Sequence, residues 1–313
     1  MQDSAKREPG HGDAPASRRP TVAVIIPAYN EQDAVRATVQ QVRYALEGAS
    51  VSHEIVVVND GSSDDTMAEA RAGGARVIDL RDNNGYGFAL KAGIETTDSD
   101  LVAILDADGT YPPDALPTMV RMAGSCDMVV GDRGSGMKNV PIIRRPAKWL
   151  LGVLASFLAR RRINDVNSGL RVFRRPALIR FIALLPDGYS FTTTITLCML
   201  ASGLAVHYHP IAYGRRIGHS KIKARHFFKF VFLVFRLTVI FRPLRVFLPL
   251  GLLLLAGGAL YALFDSSVAS LSGAAGLLFG AGLIVLSIGW WAESVARARL
   301  PRSSEDSYGV GGP

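Results

Sequence analysis

Apolar residues in the first 130 or so positions of the chain follow two alternating patterns. Short runs rich in Val, Ile and Leu are separated by longer stretches in which apolar residues recur every three or four positions. The first pattern predicts buried strands, and the second predicts amphipathic helices. The predicted strands are 22–26, 55–58, 76–78, 101–105 and 128–130, and the predicted helices are about 31–47, 64–72, 87–96 and 114–123. This alternation predicts an α/β domain with a mainly parallel sheet, whose ligand site lies beyond the carboxyl ends of the strands.

Towards the other end of the chain, two segments are long and apolar enough to cross a bilayer. Residues 246–264 and 268–292 contain no charged side chain, and only Asp265, Ser266 and Ser267 separate them. Lipid offers no partner to backbone polar groups, so we expect two helices that form a transmembrane hairpin over 244–296. The alternative is a pair of helices buried in a protein core.

Arginines flank the outer ends of this predicted hairpin, at positions 242, 245, 297, 299 and 302, whereas the turn has no Lys or Arg. The positive-inside rule therefore predicts that the α/β domain and both termini are cytoplasmic, at a plasma or inner membrane. Residues 1–20 contain no apolar run that could serve as a signal peptide, and we expect a disordered tail there. Residues 297–313 are expected to form a cytosolic tail.

Two further segments have the pattern of amphipathic helices that lie at a membrane surface. In residues 146–162, apolar positions recur at helical spacing between two basic stretches, and residues 223–243 are rich in Phe with Lys229 and Arg236 on one stripe. Both patterns are typical of interfacial helices. The alternative for each is an ordinary helix that faces a protein core.

Composition and charge narrow the possible partners. Of 313 residues, 49% are hydrophobic and 20% are charged, and the mean hydropathy of +0.21 excludes a disordered chain. Residues 1–132 carry 11 Lys and Arg against 21 Asp and Glu, whereas residues 133–245 carry 21 against 2. So basic a block suits phosphorylated substrates or an anionic membrane surface. No nucleic-acid partner is predicted, because no aromatic stacking platform or recognisable binding module accompanies the basic block.

Polar residues that could carry chemistry follow the predicted strands. Pro27 to Glu31 follow the first strand, Asn59 to Thr66 follow the second, and Asp106-Ala107-Asp108 follows the very apolar fourth. Two carboxylates at i and i+2 beyond a buried strand repel each other unless a cation neutralises them, and such hard oxygen ligands suit Mg²⁺ or Mn²⁺. The pattern therefore predicts a divalent cation that binds a diphosphate. The alternative is a carboxylate pair in a solvated turn.

In this order, the motifs resemble those of family 2 glycosyltransferases with the GT-A fold, specifically the dolichol-phosphate mannose synthase-like enzymes that make polyprenyl-phosphate sugars. The resemblance covers about residues 21–245 and places the GT-A domain at 21–222. It implies nucleotide-binding roles for Pro27, Tyr29, Glu31, Asp60, Lys91 and Asp106, and a metal-binding D-x-D pair, Asp106 and Asp108. The segment that contains Asn83, Gly85, Gly87, Ala89 and Lys91 is similar to the family's segment beside the nucleotide. Thr110 stands where many relatives have Gln, and Asn59 where an Asp is common, so the third metal ligand stays unassigned.

The same resemblance gives the basic half of the chain a role at the diphosphate and the acceptor phosphate. The residues implied are Arg133, Arg144, Ser168, Arg171, Arg215, Arg216, Ser220 and Lys221, and the implied catalytic residues are Asp108, Arg133, Asp165 and Arg216. Arginine forks and lysines bind phosphate oxygens through charge-assisted hydrogen bonds. The alternative for the basic residues is a solvated face that is attracted to anionic lipid.

The implied reaction is metal-dependent, inverting transfer of a hexose from a nucleotide diphosphate sugar to a dolichyl or undecaprenyl phosphate in the membrane. Because such a phosphate is largely anionic at neutral pH, it needs no general base. Asp165 is then expected to orient Arg171 or Arg216, and Asp165→Asn to keep near-normal turnover; with a hydroxyl acceptor Asp165 would be the base. The alternatives are a glycosyltransferase with another membrane lipid acceptor and a non-catalytic membrane-anchored scaffold that binds nucleotide sugars. The sequence assigns neither the donor sugar nor the oligomeric state.

Overall fold

The computed structural model describes residues 21–134, 165–212, 225–264 and 273–299. The described strands are β1 (Val22–Ala28), β2 (His53–Asp60), β3 (Arg76–Leu80), β4 (Leu101–Ile104), β5 (Met128–Asp132), β6 (Arg171–Arg174) and β7 (Val206–Pro210). The described helices are α1 (Val35–Gly48), α2 (Thr66–Ala72), α3 (Tyr86–Glu95), α4 (Leu116–Met122), α5 (Arg175–Ile179), α6 (Phe191–Ala201), α7 (Arg225–Phe241), α8 (Leu244–Phe264) and α9 (Gly273–Arg299).

The seven described strands form one sheet in the order β3-β2-β1-β4-β6-β5-β7. Strands β1 to β5 and β7 run parallel to one another, and β6 is antiparallel to its neighbours β4 and β5. The predicted α/β fold with a mainly parallel sheet is thus confirmed. Because β1, β2 and β4 are parallel neighbours, their carboxyl ends lie at one edge of the sheet.

Helices cover both faces of the sheet, which explains why central strands such as β1 are apolar at nearly every position and completely buried. Apolar residues of α1, α2 and α4 pack on one face, and those of α3, α5 and α6 pack on the other. Helix α7 joins the second face through Leu237 and Phe241, and the ring of Phe241 lies 6.3 Å from that of Phe181. On its other side Phe232 and Phe235 are 67% and 51% exposed. Helix α7 therefore has both a core-facing side and an apolar exposed side.

Helices α8 and α9 form an antiparallel hairpin that is closely packed at glycines. A Cβ atom at Gly251 would lie 2.6 Å from the side chain of Leu286, and one at Gly289 would lie 2.5 Å from Phe247. Small residues allow such close approach between membrane helices. At the outer ends, the amide of Leu244 donates a 3.3 Å hydrogen bond to Glu293. Both outer ends therefore lie side by side, as a hairpin requires.

Both hairpin helices are long and apolar enough to cross a membrane, and only 11% and 17% of their apolar windows are buried. So little burial does not fit the alternative of two core helices, which would be mostly buried. The second helix continues to Arg299, beyond the predicted membrane span that ends at residue 292, and an i,i+4 ion pair between Glu293 and Arg297 supports the extra turns.

Several predictions concern residues that lie outside the described ranges. They are the tail at 1–20, the interfacial helix at 146–162, the hairpin turn, the final residues from 300 to 313, and the phosphate-binding candidates Arg144, Arg215, Arg216, Ser220 and Lys221.

Candidate active site

The loops that follow β1 and β2 are joined by hydrogen bonds. The backbone amide of Asn30 donates to Ser62 Oγ at 3.0 Å, and the amide of Glu31 donates to Thr66 Oγ1 at 2.8 Å. In return, the amide of Ser63 donates to Asn30 Oδ1 at 2.9 Å. Asn30 also has a positive φ of 55°, which is incompatible with a helix. These contacts explain why α1 begins at Val35 and not at residue 31.

The nucleotide-binding candidates of this region differ in accessibility. Tyr29 is exposed at the end of β1, whereas Pro27 is buried within the strand and is paired with Val58 of β2. The structure therefore places the Tyr29 side chain at the sheet edge where a ligand is expected, and places Pro27 beneath it.

Asp60, the last residue of β2, is buried and anchors the start of α3. Its Oδ1 accepts a 2.8 Å hydrogen bond from the amide of Asn84, and its Oδ2 accepts a 2.8 Å bond from the amide of Gly85. Gly85 has a φ of +104°, a conformation that side-chain-bearing residues rarely adopt. The carboxylate of β2 thus determines where α3 begins.

Asp106 and Asp108 follow β4 at the same edge, and both are partly buried. The hydroxyl of Tyr86 donates a 2.8 Å hydrogen bond to Asp106 Oδ1. Burial, together with the charge of Asp106, raises the pKa of Tyr86 well above its ordinary value, so the hydroxyl keeps its proton. Thr110 donates to Asp108 Oδ1 from its side chain at 2.6 Å and from its amide at 3.1 Å. Each carboxylate is therefore oriented by a donor.

Gly169 packs directly against the first of these carboxylates. A Cβ atom at position 169 would lie 2.7 Å from Cγ and Oδ1 of Asp106 and closer still to Oδ2, so this position has no room for any side chain. The amide of Gly169 donates a 2.7 Å hydrogen bond to the hydroxyl of Tyr111. Neither Gly169 nor Tyr86 was singled out from the sequence, although Gly169 lies next to the candidate Ser168 and Tyr86 lies between Gly85 and Gly87 of the segment noted there.

Asp165 forms a two-bond ion pair with Arg133, at 2.7 Å from Nε and 2.9 Å from Nη2. Among the described residues, the ion-pair partner of Asp165 is thus Arg133, which follows β5, and not Arg171 as one alternative expected; the other expected partner, Arg216, lies outside the described residues. Burial acts to raise the pKa of Asp165, but the hydrogen bonds and charge of Arg133 outweigh burial and hold the pKa below its ordinary value. Asp165 is therefore an anionic partner of Arg133 at neutral pH.

Arg171 and Ser168 were expected to contact phosphate, but both side chains are completely buried. The Arg171 guanidinium donates to the carbonyls of Ser168 at 2.8 Å and Val166 at 2.9 Å, and to Thr196 Oγ1 at 2.6 Å. Burial lowers the pKa of Arg171, and the charge of Asp165 acts in the opposite direction. Arg171 thus holds residues 166–168 against helix α6.

Lys91 contacts the loop that precedes α6. Its ammonium group lies 2.5 Å from Asp187 Oδ1 and 3.2 Å from the carbonyl of Leu185. The amide of Gly87 donates to the carbonyl of Asp187 at 2.7 Å. Lys91, which the resemblance assigned to nucleotide binding, therefore attaches residues 185–187 to α3.

Metal-ligating residue types do not form a larger cluster in the ranges that the structure describes. No group of three or more His, Cys, Asp or Glu side chains there could hold a metal ion. Thr110, which replaces the Gln of many relatives, binds Asp108.

Comparison with known proteins matches two parts of the chain. Residues 23–181 match the family model of Glycosyl transferase family 2, and residues 242–298 match that of the GtrB C-terminal hairpin. The chain is 32% identical over 203 residues to a dolichyl-phosphate hexose transferase of Haloferax volcanii, an alignment that covers 64% of this chain and 86% of the relative. It is 30% identical over 240 residues to a polyprenol monophosphomannose synthase of Mycolicibacterium smegmatis, covering 71% and 89%.

A solved structure shares the fold. Glucosyl-3-phosphoglycerate synthase of Mycobacterium tuberculosis, crystallised with Mn²⁺, UDP and glucosyl-3-phosphoglycerate, matches with a TM-score of 0.54. The identity is 23%, and the match covers 70% of this chain and 79% of that one. At this identity the likeness shows a common fold.

Proposed function

Because this chain belongs to glycosyltransferase family 2, and is therefore a glycosyltransferase, we propose that it transfers a hexose from a nucleotide diphosphate sugar to a polyprenyl phosphate at a membrane surface, with inversion and with a divalent cation. The observation that carries the proposal is the oriented pair Asp106 and Asp108 beyond β4, in a chain that also contains an apolar helical hairpin. The relatives named for dolichyl-phosphate and polyprenol substrates support this acceptor.

The residues at this edge fit a divalent cation. Asp106 and Asp108 offer hard carboxylate oxygens of the kind that Mg²⁺ and Mn²⁺ prefer, and a hydrogen-bond donor orients each of them. These two aspartates would hold the cation, which, when bound, neutralises the charge that develops on a departing nucleoside diphosphate. The mycobacterial synthase that shares the fold was crystallised with both Mn²⁺ and UDP, which supports the same assignment without selecting between Mn²⁺ and Mg²⁺.

Arg133 and Asp165 are proposed to act on the acceptor side. A phosphate monoester has a second pKa of about 6, so its oxygen is already a nucleophile at neutral pH. A general base works best with a pKa near the operating pH, whereas the pKa of Asp165 lies below even its ordinary value. Asp165 therefore positions Arg133, and the arginine holds one of two anionic groups that would otherwise repel each other. Arg144, Arg215, Arg216, Ser220 and Lys221 remain proposed phosphate contacts on the resemblance alone.

We further propose that the α/β domain faces the cytoplasm and that α7 lies at the lipid interface. Arg242, Arg245 and Arg297 are located at the adjacent outer ends of the hairpin, as the positive-inside rule requires of cytoplasmic ends. The exposed rings of Phe232 and Phe235 would enter the interface. An acceptor phosphate at the membrane surface would then lie near the domain that uses it.

The test is lipid glycosylation by the full-length protein in detergent or vesicles. A panel of radiolabelled nucleotide sugars is incubated with undecaprenyl phosphate and Mn²⁺ or Mg²⁺, and labelled lipid is measured. Asp108→Asn is compared with Asp114→Asn, a matched change at an exposed carboxylate in the next turn of chain. We expect labelled lipid to fall at least about 100-fold in Asp108→Asn and to stay near normal in Asp114→Asn.

Two results would overturn the proposal. Full turnover after exhaustive chelation with EDTA would show that the reaction does not need the cation. Nucleotide binding without labelled lipid from any donor would favour the non-catalytic scaffold. The anomeric configuration of the product, read by NMR, tests inversion separately.

A further inference from the structure

Tyr86 connects two strand-end carboxylates of the candidate active site. It is the first residue of α3, and its hydroxyl donates to Asp106 Oδ1 at 2.8 Å. The amide of the preceding residue, Gly85, donates to Asp60 Oδ2 at 2.8 Å. A single dipeptide therefore links Asp60 of β2, the nucleotide candidate, to Asp106 of β4, the metal candidate.

Both the backbone and the ring of Tyr86 are held in place. The amide of Gly87 donates to the carbonyl of Asp187, and a Cβ atom at Gly87 would lie within 2.9 Å of that carbonyl carbon and closer still to the carbonyl oxygen of Pro186. The Tyr86 ring stacks on that of Tyr189, with centroids 5.9 Å apart and planes inclined by 20°. The Tyr86 hydroxyl is therefore held in a fixed position beside Asp106.

We propose that Tyr86 is a positioning residue of the cation site: its hydroxyl holds the Asp106 carboxylate in the orientation that binds the metal, and the Tyr189 ring supports Tyr86. The inference rests on the proposed function, because it assumes that Asp106 binds the cation. It extends that function to a residue pair outside the D-x-D motif. Thr110 has the corresponding role at Asp108, to which it donates at 2.6 Å. Hydrogen bonds to ligating carboxylates commonly determine ligand orientation and metal affinity.

The alternative is that Tyr86 only packs α3 onto the sheet. Tyr86→Phe separates the two roles, because it removes one oxygen atom and keeps the ring and its stack on Tyr189. A packing role predicts no change in metal affinity, whereas a positioning role predicts weaker binding with unchanged stability. Tyr189→Phe is the matched control, since it removes the same atom from the other ring of the pair.

The primary measurement needs no turnover. Mn²⁺ is titrated into the full-length protein in detergent with UDP or GDP and without acceptor lipid, and bound Mn²⁺ is followed by electron paramagnetic resonance. We expect Tyr86→Phe to weaken Mn²⁺ binding roughly 10-fold and Tyr189→Phe to leave it within about twofold of the unmodified protein. Thermal unfolding of all variants is measured in parallel, and Tyr86→Phe should unfold at the same temperature as the unmodified protein.

Tyr189→Ala is a second variant that does not alter a buried side chain, because Tyr189 is 75% exposed. It removes the support of the Tyr86 ring and is expected to weaken Mn²⁺ binding by a smaller factor, about threefold. Unchanged Mn²⁺ affinity in Tyr86→Phe, with binding abolished in Asp108→Asn, would overturn the inference and leave the proposed function intact. Absence of Mn²⁺ binding by the unmodified protein would overturn both.

Discussion

Gly169→Ala offers a direct test of the packing between residues 165–171 and Asp106. The added Cβ atom would lie 2.7 Å from Asp106 Cγ and Oδ1, whereas Cβ atoms make ordinary contacts only from 3.4 Å outward. Gly169 itself has little freedom to retreat, because its amide is bound to Tyr111 and the chain enters β6 at the buried Arg171 two residues later. The carboxylate of Asp106 must therefore move, by roughly 1 Å once its closer oxygen is included.

A misplacement of about 1 Å in a catalytic group costs on the order of 100-fold in rate, or about 2.7 kcal/mol of transition-state stabilisation. We expect kcat/KM for lipid glycosylation to fall by about that factor in Gly169→Ala, and Mn²⁺ affinity to fall with it. The assay is the labelled-lipid measurement described above, in a detergent-purified full-length protein, with Mn²⁺ binding followed in parallel.

Gly93→Ala is the matched control for a steric clash elsewhere in the domain. A Cβ atom at Gly93 would lie 2.5 Å from Ile25 Cγ2 and 3.0 Å from Val58 Cγ2, within the apolar core. Overpacking of this kind costs about 1–3 kcal/mol of stability. We expect Gly93→Ala to lower the unfolding temperature while Mn²⁺ affinity stays normal. Normal turnover and normal Mn²⁺ affinity in Gly169→Ala would refute the reasoning.

The remaining predictions concern two ion pairs, Asp165 with Arg133 and Lys91 with Asp187. Asp165→Asn should lower turnover about tenfold by loosening Arg133, and by the same factor across pH 6–9, which revises the near-normal turnover expected from the sequence. A loss that grows towards high pH would instead indicate a general base, because a base acts only in its deprotonated form. The folded pKa of Asp165 lies below its unfolded value of about 3.9, so the stabilising effect of its ion pair with Arg133 is complete above that unfolded value and is lost as the pH falls through the folded pKa. The free energies of unfolding of Asp165→Asn and of the unmodified protein, measured by circular dichroism, should therefore differ at pH 7 and converge in acid, below the folded pKa. Lys91→Met and Asp187→Asn should each cost under about 1 kcal/mol, because Asp187 is largely exposed, and both should leave the donor KM within about twofold. A selective increase in the donor KM in Lys91→Met would show that Lys91 contacts the nucleotide directly.

The parts of the fold predicted correctly from the sequence depend on short-range patterns. Strands such as β1 are continuous apolar runs, and the carboxylates beyond β4 follow from the rule that parallel strands end at one edge. Strand β6 was missed because it begins and ends with arginine, Arg171 and Arg174. Arg171 is tolerated in a buried strand because Thr196, 25 residues away, and two carbonyl groups accept its hydrogen bonds. No local pattern reports such distant partners.

The same distinction explains which parts of the candidate site could be predicted. Asp106 and Asp108 were recognisable because only Ala107 separates them in the sequence and both are carboxylates. Tyr86 has no such signal, since its contact with Asp106 joins two elements 20 residues apart. The pairing of Asp165 with Arg133 likewise depends on how β5 and the segment before β6 meet. The one hint available was an aromatic residue between Gly85 and Gly87, in the segment that is similar to the family's segment beside the nucleotide.

The connection between α7 and α8 is short enough to restrict movement of the α/β domain relative to the hairpin. Phe241 is buried in the core of the α/β domain, and the first helix of the hairpin starts at Leu244, with only Arg242 and Pro243 between them. With a connection of two residues, the α/β domain would have little freedom to move relative to the hairpin, so the chain itself would set the height of Asp106 and Asp108 above the lipid. The enzyme would then select acceptors whose phosphate lies at one particular depth relative to the membrane surface. Insertion of a few flexible residues between Phe241 and Leu244 should weaken this selection, while soluble substrate analogues should be processed as before.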